Sequence, residues 1–364
     1  MSLRCGIVGL PNVGKSTIFN ALTANEIPAE NYPFCTIEPN TGVVAVPDPR
    51  LEVLARISKS EKVVPTTVEF VDIAGLVRGA SQGEGLGNQF LSHIREVDAI
   101  AHVVRCFHDE NVVHVEGGVD PLRDVATIET ELGLADLETL EKRLDRARKA
   151  AKSGDKELRA AAELLERLRD HVGEGQPART FAVPAAGRAT VRDCHLLTAK
   201  PVLYVANVDE AGLASGNDAS RALDAFAREQ GAGAVRLCGK IEAELAALSD
   251  DEKAEFLAEL GVGEPGLHRL IHAAYELLGL VTFLTTGPKE TRAWTVRAGT
   301  LAPAAAGAIH TDFESKFIRA EVTDYDAFVA AGGEVQAKAQ GKTRIEGKDY
   351  VIRDGDVVYF RIGG

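Results

Sequence analysis

Nine residues near the start of the chain, Gly9-Leu10-Pro11-Asn12-Val13-Gly14-Lys15-Ser16-Thr17, spell Gly-x-x-x-x-Gly-Lys-Ser/Thr. That pattern constrains the fold more than any other stretch, because it works only between a strand and a helix. Both flanks comply. Arg4 to Val8 is short, apolar and β-compatible, and Ser16 to Thr23 reads as the start of an amphipathic helix. Glycines at 9 and 14 let the backbone turn its N–H groups inward, and the helix N-terminus adds partial positive charge where phosphates would sit. Asn12, Val13, Gly14 and Thr17 would line those phosphates, Lys15 would reach the β and γ phosphates, and the Ser16 hydroxyl would ligate Mg²⁺. The bland alternative, a Gly/Pro turn before a helix, does not account for both flanks.

At 364 residues the chain is long enough for two or three domains. Its apolar fraction of 45% is that of an ordinary globular protein, and no apolar run approaches the roughly 20 residues of a membrane span. With no signal-peptide pattern at its start, a cytoplasmic location and no membrane partner are expected. Cys5, Cys35, Cys106, Cys194 and Cys238 are scattered and form no C-x-x-C pair, which predicts free thiols rather than disulfides or a zinc site. A formal charge of −13 opposes nucleic-acid binding by bulk electrostatics and gives no sign of sequence-specific DNA recognition. Residues 281–364 hold 11 Lys/Arg and 11 Asp/Glu, so the acidic excess lies before them and the C-terminal part is a differently composed unit.

Strand-like and helical runs alternate from Arg4 to Arg105 and again from Pro201 to Leu248. This is the signature of an α/β three-layer domain with helices on both faces of its sheet. Between the halves, leucines 132, 137, 140, 144, 158, 164, 165 and 168 recur at helical spacings among dense charges, with a break at Ser153-Gly154-Asp155. We read a coiled-coil-like helical hairpin over 129–189, inserted into a nucleotide-binding domain of 1–128 and 190–278, followed by a small α+β domain over 279–364. Lys142, Arg143, Arg146, Arg148, Lys149 and Lys152 face only Glu141 and Asp145 within 141–152. They form either a solvated helix face or a basic tip for phosphate-rich RNA.

Later motifs narrow the chemistry. Asp72-Ile73-Ala74-Gly75 ends a strand where a switch NTPase places an acid near Mg²⁺ and a glycine N–H for the γ-phosphate. Thr36, in the loop Pro33 to Pro39, is positioned to supply a second hydroxyl to the metal. After the strand Val202 to Ala206 stands Asn207-Val208-Asp209-Glu210, where ordinary GTPases carry Asn-Lys-x-Asp. Glu210 is one methylene too long for the guanine fork and Val208 replaces the lysine over the base. Leaving guanine polar groups unpaired costs about 1 to 3 kcal/mol, so ATP should be accepted at least as well as GTP. A shifted register that uses Asp209 would reverse this.

These motifs, together with Phe34 to Asn40 and Gly83-Glu84-Gly85-Leu86-Gly87-Asn88, resemble the Obg-like ATPase, or YchF, family over essentially the whole chain. Ala293-Trp294-Thr295 and Ile309 to Phe313 resemble that family's C-terminal TGS domain, a β-grasp-like fold. The resemblance implies a P-loop ATPase that associates with ribosomes and is linked to stress responses. Gly239 departs from the pattern, because alanine is expected beside the base. Catalysis departs from ordinary GTPases too: Leu76 stands where a glutamine would orient water. Asn12 could hold K⁺ near the phosphates, as in related cation-dependent NTPases, and His114 is a second candidate to position water. Cys35 beside Thr36 is either an oxidisable thiol or a small buried hydrophobe. Two other readings stay open here, a GTPase in ribosome assembly and a nucleotide-dependent scaffold with incidental turnover.

Overall fold

Apolar runs bounded by turn residues determine where the strands fall. The computed structural model describes residues 3–24, 40–74, 86–113 and 118–363. In chain order, β1 (Arg4–Val8) leads through α1 (Lys15–Thr23), β2 (Thr41–Ala45), α2 (Pro49–Ser58), β3 (Lys62–Val64), β4 (Thr67–Asp72) and α3 (Leu86–Glu96) to β5 (Ala99–Arg105). Then come α4 (Pro121–Ala151), α5 (Lys156–Gly173), α6 (Arg188–Arg192), β6 (Val202–Asn207), α7 (Ala211–Ser215), α8 (Asp218–Glu229), β7 (Gly233–Leu237), α9 (Gly239–Leu245), α10 (Asp250–Glu259) and α11 (Gly266–Leu277). The chain continues with β8 (Leu280–Thr286), β9 (Glu290–Arg297), α12 (Ala302–Ile309), α13 (Thr311–Ser315), β10 (Phe317–Asp324), α14 (Tyr325–Ala331), α15 (Glu334–Ala339), β11 (Arg344–Glu346) and β12 (Asp356–Ile362).

The chain divides into two units, Met1–Gly42 with Glu69–Ala274 and Val43–Val68 with Tyr275–Gly364. In the first, the strand order is β2-β4-β1-β5-β6-β7. Strands β4, β1, β5, β6 and β7 run parallel. Every residue of β5 and of β6 is buried, as expected of parallel strands covered on both faces. The loops that leave the carboxyl ends of such strands are where ligands bind in this architecture. Here they carry residues 9–14 after β1, Asp72 at the end of β4, 106–113 after β5, 208–210 after β6 and Cys238 after β7.

Helices α4 and α5 form the expected hairpin, turning through residues 152–155, where Gly154 takes φ 88° and Asp155 caps α5 through the Glu157 and Leu158 amides. Leu140 and Leu144 pack with Leu165, Leu168 and Val172 in one buried cluster. Two polar clamps tie α4 to the chain around β6. The Asp136 carboxylate, 1% exposed, accepts from the Leu197 amide at 2.7 Å and from the Thr198 amide and hydroxyl at 2.8 and 2.6 Å. Glu129 accepts from the Tyr204 hydroxyl at 2.8 Å and pairs with Arg179.

The second unit is built on a sheet of order β11-β10-β12-β8-β9-β3. Alternate residues point to opposite faces. One face buries Phe283, Val296, Phe317, Ala320 and Val322 with Ala302, Ala305 and Ala306 of α12. The other buries Leu284, Ala293 and Val357 with Leu51 and Leu54 of α2 and Phe328 of α14. Strand β3 adds to β9 in parallel. Residues 43–68, which lie inside the sequence range read as nucleotide-binding, thus group with the C-terminal unit. The reason is the apolar stripe of α2, whose burial partners are more than two hundred residues away in sequence.

Candidate functional site

The loop between β1 and α1 has the geometry its glycines require. Gly14, the N-cap of α1, has φ 89°, and no side chain caps the helix. The first amides of α1 therefore keep their donors for an anion. Gly9 cannot carry a side chain either, since a Cβ there would lie 2.8 Å from the Val103 carbonyl oxygen. Lys15 opens the helix and its ammonium pairs with the Asp72 carboxylate at the end of β4. Ser16 and Thr17 are exposed beside it. Two residues named from separate motifs thus meet at one point.

Asn207 ties this loop to the far side of the site. Its side chain, 4% exposed as a residue, donates from Nδ2 to the Val13 carbonyl at 2.8 Å and accepts the Gly239 amide on Oδ1 at 2.9 Å. A Cβ on Gly14 would come within 2.2 Å of that Nδ2. A Cβ on Gly239 would meet Ile18 Cγ1 at 3.2 Å, so glycine rather than the expected alanine suits the close approach of α9 to α1. Val208 is 2% exposed and donates its amide to the Leu237 carbonyl at 2.9 Å; its side chain belongs to the interior. Asp209 accepts the Gly212 amide at 2.9 Å and so serves the turn into α7. Glu210 is exposed and makes no cap bond.

Sequence reasoning missed the side chains that shape the loop after β5. Asn217, N-cap of α8, donates to the Cys106 carbonyl at 2.6 Å, and Arg105 donates to three carbonyls of the same loop. Val113, further along that loop, accepts the Asn12 amide at 3.1 Å, while Asn12 itself has φ 64°. His102 of β5 sits behind the site, 5.8 Å from Tyr204 between ring centres, with its pKa pushed down to about 3 by burial and by Arg179. It is neutral and structural.

Thr36, Cys35, Gly75, Leu76 and His114 lie outside the described residues. The other four cysteines are free and buried, and burial raises the pKa of each. Among the described residues no group of three or more His, Cys, Asp or Glu could hold a metal. The hydroxyl of Ser16 and the single carboxylate of Asp72 are hard oxygen donors. They fit Mg²⁺, which takes one or two protein ligands and completes its shell with phosphate and water. In the hairpin, Lys142 pairs with Glu138, Arg148 with Glu166, and Arg143 donates to the Asp193 carbonyl, so part of the basic run is engaged within the hairpin and its base. No helix of the described residues is long and apolar enough to cross a membrane.

Residues 280–363 match a family model described as YchF-GTPase_C, a protein of unknown function, and residues 4–139 match one described as a 50S ribosome-binding GTPase. A protein of Haemophilus influenzae named ribosome-binding ATPase YchF is 54% identical over 361 residues, covering 99% of both chains. Its namesake in Bacillus subtilis is 53% identical over 363 residues, again covering 99% of both. Among solved structures, the YchF GTPase of Schizosaccharomyces pombe superposes with a TM-score of 0.88 at 38% identity, over 99% of this chain and 98% of that one.

Proposed function

The chain belongs to the YchF family, and from that premise we propose that it is a Mg²⁺-dependent ATP-hydrolysing switch that associates with ribosomes in the cytoplasm. The observation that carries the choice of base is the segment after β6. Asn207 holds the phosphate loop and the Gly239 loop together, yet Val208 points inward and Glu210 stands exposed, so neither supplies the lysine cover or the aspartate fork that guanine needs. A base site without that lysine and aspartate accepts adenine at least as well as guanine.

In this reading the amides of residues 13–17 bind the phosphates and Lys15 exchanges its Asp72 partner for β and γ oxygens. Ser16, Asp72 and Thr36 would hold Mg²⁺, which when bound would offset charge on the transferring phosphoryl group. Gly75, by its place after Asp72 in the sequence, would offer its amide to the γ-phosphate. Leu76 cannot orient water, so intrinsic turnover would be slow, and the two candidates for the missing role are Asn12, which would hold K⁺ near the phosphates, and His114. The C-terminal unit is read as a TGS domain that, with the helical hairpin, reports the nucleotide state to the ribosome, the hairpin contacting rRNA.

Competition between ATP and GTP for the full-length protein tests the base assignment. ATP should displace a fluorescent nucleotide at a concentration no higher than GTP does, and a clear preference for GTP would overturn it. Co-sedimentation with ribosomal subunits in ATP and in ADP tests the partner; binding in neither state would remove it.

A further inference from the structure

The loop after β5 is organised from below by one buried cation. Arg105, the last residue of that strand, is 2% exposed. Its Nε donates to the Phe107 carbonyl at 3.2 Å, Nη1 to Val112 at 2.9 Å and Nη2 to Asp109 at 3.2 Å. Its guanidinium carbon lies 4.5 Å from the centre of the Phe107 ring. Among the described residues no carboxylate pairs with it, and its planar fork is spent on main-chain oxygens of a single turn. Burying a cation is costly unless such geometry offsets the loss of water. That cost makes a merely accidental placement a poor explanation.

Both ends of this turn belong to the phosphate-binding site. At its start the Cys106 amide donates to the Asn207 carbonyl at 2.8 Å, and Asn207 is the residue whose side chain holds Val13. At its end the Val113 carbonyl takes the Asn12 side-chain amide. The contacts close a circuit: phosphate loop, Asn207, Cys106, the turn templated by Arg105, Val113, and back to Asn12. Asp109 closes only a local bend, accepting the Asn111 amide at 2.9 Å. Arg105 is the side chain that spans the turn from Phe107 to Val112.

We infer that Arg105 is a positioning residue for nucleotide hydrolysis. By setting the path from Phe107 to Val112 it sets where the Val113 carbonyl stands, and that carbonyl anchors the nitrogen of the Asn12 amide beside the phosphates. It touches neither nucleotide nor metal. The inference rests on the reading that Asn12 serves hydrolysis, and it adds a residue from which that service depends. A lysine would keep the charge but not the three-pronged planar donor set or the stacking on Phe107.

The test compares full-length Arg105→Lys, Arg105→Ala and Asn12→Ala, alone and combined. For each, single-turnover ATP hydrolysis, affinity for a non-hydrolysable ATP analogue and thermal unfolding are measured. Arg105→Lys should lose about tenfold or more in rate while analogue affinity changes less than about threefold, because a misplaced group costs rate rather than binding. Guanidinium ion should restore part of the rate of Arg105→Ala. Adding Arg105→Lys to Asn12→Ala should cost little more than Asn12→Ala alone, as residues acting through one contact are not additive. A full rate in Arg105→Lys would overturn the inference, as would parallel losses of rate, affinity and melting temperature in that variant. A slow Arg105→Lys beside a fully active Asn12→Ala would overturn the reading of Asn12 and the route drawn through it. A fully active Arg105→Lys beside a slow Asn12→Ala would overturn this inference alone.

Discussion

Replacing Asn207 by alanine isolates the contact that joins the phosphate loop to α9. The change removes the 2.8 Å bond to the Val13 carbonyl and the 2.9 Å bond from the Gly239 amide, both in a buried setting, and leaves the main-chain bond from Cys106 intact. Each buried group that loses its partner costs about 1 to 3 kcal/mol, which places the total for the two at about 2 to 6 kcal/mol. For a unit of this size about 1 kcal/mol shifts Tm by roughly 2 to 4 °C, so the fall expected is about 4 to 24 °C. Differential scanning calorimetry of the full chain reads this directly. Fluorescence of the single tryptophan, Trp294, reports on the C-terminal unit in the same samples. The aspartate variant divides the effect, because it keeps an acceptor for Gly239 but sets an oxygen against the Val13 carbonyl. It should lose at least half of what alanine loses. A loss under about 1 kcal/mol for alanine, or a neutral aspartate, would show that the side chain does not bridge the two loops.

Three other outcomes follow from the same geometry. Gly14→Ala must place a side chain at φ 89° and 2.2 Å from Asn207 Nδ2, so nucleotide affinity by titration calorimetry should fall at least about tenfold, and unaltered affinity would refute the fit. The Glu321 carboxyl, beside Arg361 and Lys338, has its pKa lowered from 4.5 to about 2. A lowered folded-state pKa gives stability that is complete above the unfolded value and lost as pH falls from about 4.5 towards 2. Urea unfolding followed by Trp294 should therefore weaken over that range in the wild type and less so in Glu321→Gln. Asp136→Ala strands three donors from Leu197 and Thr198, and chemical denaturation of the nucleotide unit should show a loss of about 3 to 5 kcal/mol; a loss below about 1 would count against the clamp.

What could be read in advance was local. The phosphate loop declares itself because its glycines, lysine and hydroxyl must be consecutive, and β5 and β6 because buried parallel strands are unbroken apolar runs. The hairpin declares itself through leucines at helical spacing. Partnership was not legible. Nothing in Pro49–Ser58 says that Leu51 and Leu54 will meet Leu284 and Ala293, and the alanine-rich stretch of α12 offers little amphipathic pattern. Arg105 is unreadable for a similar reason. Its acceptors are carbonyls, which every residue has, so no residue type marks them. Val208 could be named as differing from lysine, but that its side chain turns inward depends on its amide joining Leu237, a contact between strand ends.

The membership of residues 43–68 in the C-terminal unit bears on how the molecule is made. As the chain leaves the ribosome that makes it, α2 and β3 emerge early, while the sheet that covers Leu51 and Leu54 is completed only by β12, at the other end of the chain. The early segment must wait, with its apolar stripe exposed, through the synthesis of everything between Val68 and Tyr275. The nucleotide unit therefore has the opportunity to form first around a loop that is not yet its own, and stopping translation before β8 would leave that loop without a core to join.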